Sequence, residues 1–456
     1  MQFSKNNSER GQIIVILAIA LVVLLAFASL AIDVGTVYAD RQYDQASADS
    51  AALSAGQKAA DIIKDPEMAG EKFKCSAITS EEMSSIYTAA INSAAANDFT
   101  LSLQNLDNSD HGVQIRCNDT GGDNYVDIRV KITTVSKTSF MHLFYGGELK
   151  NTVESVVRVK PRSPLAFGNA IVAVGSTCDK KNSNKGGIWF DGTNKVKVQD
   201  GGIFSNTCID KNGSSGFISI CESGTDMGAV GVDCKDYEDD INIGFVTTFS
   251  GSTKPFNPIP EKSVKAIEKP EVPDLEAECA ALNNDMRGKT VDKLNMTPGQ
   301  YSGMVGNINL VEDGLYCFYG TIDLSGNKKG DFTSSGDAAT KGVTIYFASG
   351  GIDMTGNSKL ILKGATLEEN GAIPGLLITL KKGNTSQIDI GGNAESNISG
   401  TVLAPESLIR LHGNPSQSFH SQIIGSTVLL DGGAELNVVY SDDMVYTSPA
   451  YLSLQK

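Results

Sequence analysis

Histidine and tryptophan are scarce in this chain, with four and one in 456 residues, and no two cysteines stand in a CxxC spacing. That leaves no basis for a zinc cluster. No Walker loop and no dinucleotide fingerprint occurs, so a phosphate-cradling nucleotide site has no sequence support. His412 and His420 lack a Ser or Cys partner for nucleophilic catalysis. Basic residues are also few: 38 Lys and Arg face 53 Asp and Glu, for a net charge of −15. This balance argues against nucleic acid as a partner. Because the acidity is spread along the chain, it reads as a solvated, exported surface.

Charge is missing altogether from residues 13–32, IIVILAIALVVLLAFASLAI. Twenty helical residues at about 1.5 Å each span roughly 30 Å, the hydrocarbon thickness of a bilayer. Fourteen of the twenty are Ile, Leu, Val or Phe. At roughly −0.3 to −0.6 kcal/mol for each central residue, insertion is favoured by several kcal/mol. Lys5 and Arg10 precede the run and Asp33 follows it. The expected arrangement is a cytoplasmic head (1–12), a single transmembrane helix (13–32) and an extracytoplasmic bulk at the cell membrane. A cleaved secretory signal is the rival, with Ala26-Phe27-Ala28 as the small-x-small site. Against it, the apolar pattern continues through Leu30 and Ile32 with no helix breaker.

All eight cysteines lie beyond this run, an even number in exported sequence. Disulfides are therefore expected in place of free thiols. Eight cysteines allow 105 connectivities. Sequence proximity alone suggests pairing in order: Cys75 with Cys117, Cys178 with Cys208, Cys221 with Cys234, and Cys279 with Cys317. The length exceeds one ordinary core, so two or three units are expected.

Beyond Asp33 the helical pattern persists. Ala48, Ala52, Ala55 and Ala59 form a stripe of small side chains that lets another element approach closely. Asp65-Pro66 is a natural stop. A helix of about 50 residues is thus predicted, followed by a second over 80–97. Strands are predicted at 113–117, at 126–132, where alternation runs for seven residues, and at 153–159. Together these make an α+β unit over 33–160.

Three phrases in the first sixty residues carry a resemblance. They are Arg10-Gly11-Gln12, then Ala31-Ile32-Asp33-Val34-Gly35, then Gln45-Ala46-Ser47-Ala48-Asp49-Ser50-Ala51-Ala52-Leu53-Ser54-Ala55-Gly56. This combination resembles the N-terminus of TadG-like Flp pilus-assembly proteins of the tight-adherence (Tad) system, over roughly residues 9 to 60. The resemblance implies a bitopic protein with a pilin-like stalk, partnered by the membrane and by other pilus-assembly or pilin-like proteins. Two departures matter. Counting from Gly11, the position where pilins hold a glutamate is Ile16, so a retained anchor is expected in place of a processed fibre subunit. Many relatives carry a von Willebrand A domain, but the nearest phrase here, Asp323-Leu324-Ser325-Gly326-Asn327, lacks the second serine of its ion site.

From about residue 170 helical periodicity disappears and a short phrase recurs. Its copies are Ile322-Asp323-Leu324-Ser325-Gly326-Asn327, Ile352-Asp353-Met354-Thr355-Gly356-Asn357, Ile388-Asp389-Ile390-Gly391-Gly392-Asn393 and Ile409-Arg410-Leu411-His412-Gly413-Asn414. A worn fifth copy starts at Leu429, and the start-to-start spacings are 30, 36, 21 and 20 residues. Two apolar residues flank one polar residue, which should face solvent, and Gly-Asn supplies a turn. One such strand cannot bury itself, but stacked copies can. The preferred architecture for 165–445 is an all-β right-handed parallel β-helix, with rungs of roughly 20 to 25 residues and an asparagine ladder in the turns. A β-sandwich is the alternative. Segments such as Gly187-Ile188-Trp189-Phe190 and Gly202-Ile203-Phe204-Ser205 suggest early rungs that begin near residue 170, with a Pro-rich excursion at 251–290 between them and the late rungs. Five prolines fall within 255–273 and exclude a central strand there.

Since parallel β-helices include polysaccharide lyases and hydrolases, Asp353, Asp389 and Arg410 at equivalent repeat positions form the enzyme reading. The plainer reading is a solvated polar slot. Asp233, Asp236, Glu238, Asp239 and Asp240 could hold Ca2+, though their spacing fits no EF-hand and such runs are more often solvated loops. On balance no catalytic residue, metal site or cofactor is expected. The expected role is a structural, assembly or adhesive component at a bacterial cell surface, with a cell-surface glycan as a further partner.

Overall fold

The computed structural model describes residues 9–64, 73–120, 124–136, 149–178, 186–193, 195–213, 216–221, 243–250, 256–263, 265–326, 330–355, 358–392, 396–413, 417–432, 435–441 and 444–455. The chain divides into two compact units, residues 1–163 with 449–456, and residues 164–448. The larger unit is thus an insertion before the last strand of the smaller one.

The smaller unit begins with α1, Glu9–Ile63, a single helix of 55 residues. Its apolar run is exposed along Ile14, Leu17, Leu24 and Phe27, whereas Ala48, Ala52, Ala55 and Ala59 are fully buried. One helix therefore carries two different surfaces in series. The second helix, α2 (Ser80–Ala95), starts at a capping box. The Thr79 hydroxyl accepts from the Glu82 amide at 3.2 Å, and the Thr79 amide donates to Glu82 Oε2 at 2.8 Å. Three antiparallel strands follow, β1 (Gly112–Asn118), β2 (Tyr125–Ser136) and β3 (Leu149–Lys160). The alternation in β2 puts Val126, Ile128, Val130 and Ile132 against the helices. On its other face Arg129 reaches Glu154 at 2.6 Å, and Arg158 grips Asp127 at 2.8 Å. Residues beyond 445, given no place by the sequence patterns, supply a fourth strand, Tyr451–Leu454, antiparallel to β3.

The larger unit is β-rich, and every pairing described in its main sheet is parallel. That removes the sandwich alternative, which needs antiparallel hairpins. Strands pair with a strand one turn of chain later, forming a stack of levels. Ile322, Ile352, Ile388 and Ile409 lie in register at 0–1% exposure. The fifth copy is shifted by one residue from its expected start: Ile409 faces Val428, so Val428 and Leu430 point inward. The inner core also contains a line of rings, with centroids 5.7 Å apart from Tyr301 to Phe318 and 5.5 Å from Phe318 to Phe347. The asparagine ladder expected at Asn327, Asn357, Asn393 and Asn414 lies outside the described residues.

The order of the levels differs from their order in the chain. Strand Gln417–Gly432 pairs with Asn169–Ala173 and Gly187–Asp191, and Glu435–Val439 pairs with Lys195–Gln199. Late levels therefore run from 299 to 439 and are continued, through a seam, by early levels running from 169 to 262. The proline-rich stretch is consequently no excursion from one point of the stack. It returns the chain from one end to the other. It contains the short helix Glu276–Ala281, and its two-residue strands Phe256–Asn257 and Glu261–Lys262 sit at the stack's end, where proline is tolerated.

Among the described residues three disulfides are present, Cys75–Cys117 in the smaller unit and Cys178–Cys208 and Cys279–Cys317 in the larger. These are three of the four pairs expected from chain order. The fourth, Cys221 with Cys234, falls on Cys234 and on the Cys221 side chain, both outside what is described, as is the acidic run from Asp233 to Asp240.

Candidate functional site

Among the described residues, two places concentrate unusual side chains. The first is the polar column of the repeat. Asp353 is in register with Asp323 on one side and Asp389 on the other, and Asp389 with Arg410. Parallel stacking thus brings together all three residues of the enzyme reading. It also pairs the charges of Asp389 and Arg410. Arg410 Nη1 lies 3.3 Å from Asp389 Oδ2, while its Nε and Nη2 donate to Asp431 Oδ2 at 2.9 and 2.5 Å. Burial opposes the guanidinium's charge, but the hydrogen bond to Asp431 and the Asp389 carboxylate outweigh it and raise the arginine's pKa. Gln387 Nε2 also donates to Asp389 Oδ2 at 3.0 Å. His412 Nε2 lies 2.7 Å from Asp389 Oδ1, close enough for an ion pair when protonated.

Asp389 is only 6% exposed and ion-paired with Arg410, so at this level the polar slot is not the solvated surface expected of it, whereas Asp323 and Asp353 are half-buried. A carboxylate already bound to arginine and glutamine is poorly placed to exchange protons with a substrate. Gly391 explains the local sequence: a Cβ there would collide with the His412 ring and the Met354 carbonyl. Asp431, which completes the cluster with His412, was not legible as a partner because the fifth copy is shifted by one. A shallow surface dent lies elsewhere, lined by Asp313, Lys341, Leu367 and Glu369. Lys341 fills its charge requirement, standing 3.4–3.5 Å from Asp313, Asp337 and Glu369.

The second place is α1 beyond the apolar run. Here the helix lies directly on the sheet. A Cβ on Gly56 would stand 2.6 Å from Val157 Cγ1 and 2.9 Å from Leu452 Cδ2, so only glycine permits this approach. Asp44, 3% exposed, accepts from Thr134 Oγ1 at 2.5 Å and Asn151 Nδ2 at 2.8 Å, which pins the helix to β2 and β3. Gln45 Nε2 donates to the Glu154 carbonyl at 3.2 Å. An exposed apolar helix thus continues into a small-residue face fixed on a sheet. Residues 11–59 match the family described as "Putative Flp pilus-assembly TadE/G-like". Gly56, Asp44 and the alanine stripe all fall within this Tad segment, so the matched stretch contains both the membrane-length run and the docking face. No curated protein and no solved structure matches the chain.

Asp44 carried no sequence signal of its own. One acid in a helix reads as solvated surface until the facing strands bring Thr134 and Asn151 beside it.

Proposed function

We propose that this protein is a membrane-anchored, extracytoplasmic structural or assembly component of a Tad (Flp) pilus or surface-adhesion system. The observation that carries this is the Tad match over 11–59, coinciding with an exposed helix long and apolar enough to cross a bilayer. In this reading α1 holds the chain in the membrane with its head in the cytoplasm, because Lys5 and Arg10 stay on the inner side. The helix continues outward into a pilin-like stalk. The inserted stack is a right-handed parallel β-helix, presented to other pilus-assembly proteins or to a surface glycan. The parallel pairing and the in-register isoleucines support that architecture. The role is architectural and not enzymatic, and it needs no cofactor.

Deleting the gene's product should abolish piliation or attachment. Full-length protein should stay in the membrane through carbonate extraction, with cysteines introduced beyond residue 33 labelled from outside. Unchanged piliation and attachment would remove the pilus assignment, and release by carbonate would remove the anchor.

One observation favours a second reading, extracellular cleavage of polysaccharide: Asp353, Asp389 and Arg410 share one column. That reading expects glycan depolymerisation by the purified chain, lost in the triple variant D353N/D389N/R410Q.

A further inference from the structure

The larger unit has a construction that neither its repeats nor the Tad segment accounts for. Its two halves, 169–262 and 299–439, are each continuous in sequence and meet at the seam through strand pairing. There Ile423 faces Ile171, Val428 faces Ile188 and Leu436 faces Val196. The segment that joins the halves runs back along the outside of the stack, and its contacts cross the seam. On the early side, Asn206 holds the Ile267 backbone twice, its Nδ2 donating to the carbonyl and its Oδ1 accepting from the amide, both at 2.7 Å. On the late side, Lys269 Nζ donates to Glu406 at 2.7 Å, and Lys381 meets Glu276 at 3.0 Å. Cys279 is bonded to Cys317 near the far end.

Beneath the segment lies an outward-facing apolar row that also spans the seam. It comprises Phe204 and Val172 from the early half and Ile424, Leu403 and Leu376 from the late half, with Ile267 packed on them. Leu275 and Cys279 continue the cover over Leu315 and Tyr346.

We propose that residues 265–281 act as a clasp that keeps the seam closed, and that without it the halves exchange between two copies of this chain. Three features point to a second copy as the occupant of an opened seam. Each half already fits the other in register, so a neighbour's half presents the same complementary edge. Each half is continuous, and a late half that exchanges carries the strand Tyr451–Leu454 with it, to pair with β3 of the other copy. The connecting stretch is long, which makes a crossover between copies sterically simple. The Cys279–Cys317 bond then ties the connector to the late half and keeps its reach within one molecule.

The test uses the full chain in detergent. Asn206→Ala with Cys279→Ser and Cys317→Ser releases the clasp at both ends. Trp189, the chain's one tryptophan, is 1% exposed and stands in register with Leu429 across the seam. The released variant is expected to show at least tenfold faster amide exchange at 169–173, 187–191 and 423–430 than the parent, with residues 343–347 unchanged. Its Trp189 emission should shift to the red. Two differently tagged copies should co-purify when the variant is co-expressed, whereas tagged parent copies should not. The gentler pair Cys279→Ala with Cys317→Ala, which leaves the cluster apolar, should give a smaller change in the same direction. Seam amides as slow as the parent's in both variants would overturn the proposal. So would opened seams with no exchange between tagged copies, or exchange that the parent already shows.

Discussion

The two units solve one problem, burying apolar strands, by opposite means. In the smaller unit β1, β2 and β3 pair antiparallel with their chain neighbours, and a helix lined with alanine closes the face. In the larger unit strands pair in parallel across 17 to 252 residues of sequence, and the core is built mainly from Ile, Leu, Val and Phe. The helix-covered sheet depends on how near a backbone can come, which is why Gly56 and Asp44 matter there. The stack depends on volume and register, which is why its inward positions repeat. The lesson is that close approach is specified by small residues and single polar pins, whereas stacking is specified by a row of large ones.

This contrast can be broken by substitution. The largest effect is expected at Ile188, fully buried between Val428 and Ile209. Ile188→Ala should cost about 2–5 kcal/mol in denaturant unfolding of the larger unit. An equal loss at the smaller unit's transition would show that the two do not melt separately. Gly56→Val in the smaller unit should cost roughly 1–3 kcal/mol through overpacking against Val157 and Leu452, seen as faster proteolysis between α1 and β3. If the Ala52→Leu change on the same buried stripe is tolerated with no loss, the close-approach argument fails.

Arg410→Gln should also destabilise, by about 1–3 kcal/mol, because Asp389 is left buried without its arginine. Adding Asp389→Asn should restore part of that loss, as a structural ion pair requires. The smallest effect is expected at the cap of α2. The Glu82 carboxylate is held below its ordinary value by the Thr79 amide and then its hydroxyl. A depressed carboxylate stabilises above its unfolded pKa, and that contribution disappears as pH falls through the folded value. Glu82→Gln, which removes the titrating group, should therefore flatten the acid limb of the smaller unit's stability profile while leaving the larger unit's unchanged.

Much of this was legible residue by residue. Alternation at 126–132 placed the inner face of β2, and the alanine stripe located the buried side of α1, because burial on a helix or strand leaves a period in the sequence. The isoleucines of the repeat likewise announced their own stacking. The candidate site was legible only in part. Asp353, Asp389 and Arg410 could be aligned by their phrases, but Asp431 could not be placed beside Arg410, since a one-residue shift at Val428 puts Asp431 in register with His412, on the same face as Arg410. The strand at Tyr451–Leu454 is four residues long and too short to show a period.

Sequence alone was sufficient for the membrane-length helix, the phase of most strands and the in-order pairing of the cysteines in three disulfides, all of which rest on composition and local spacing. Tertiary structure decided that the late levels precede the early ones, that the polar column is ion-paired at Asp389 and Arg410, and that the last strand returns to the first unit. The first and last of these depend on edges meeting across hundreds of residues, and loop closure grows only slowly more costly with length. A long connector therefore permits either order of levels with little difference in entropy, and the fit between Ile423 and Ile171, Val428 and Ile188 selects the one observed.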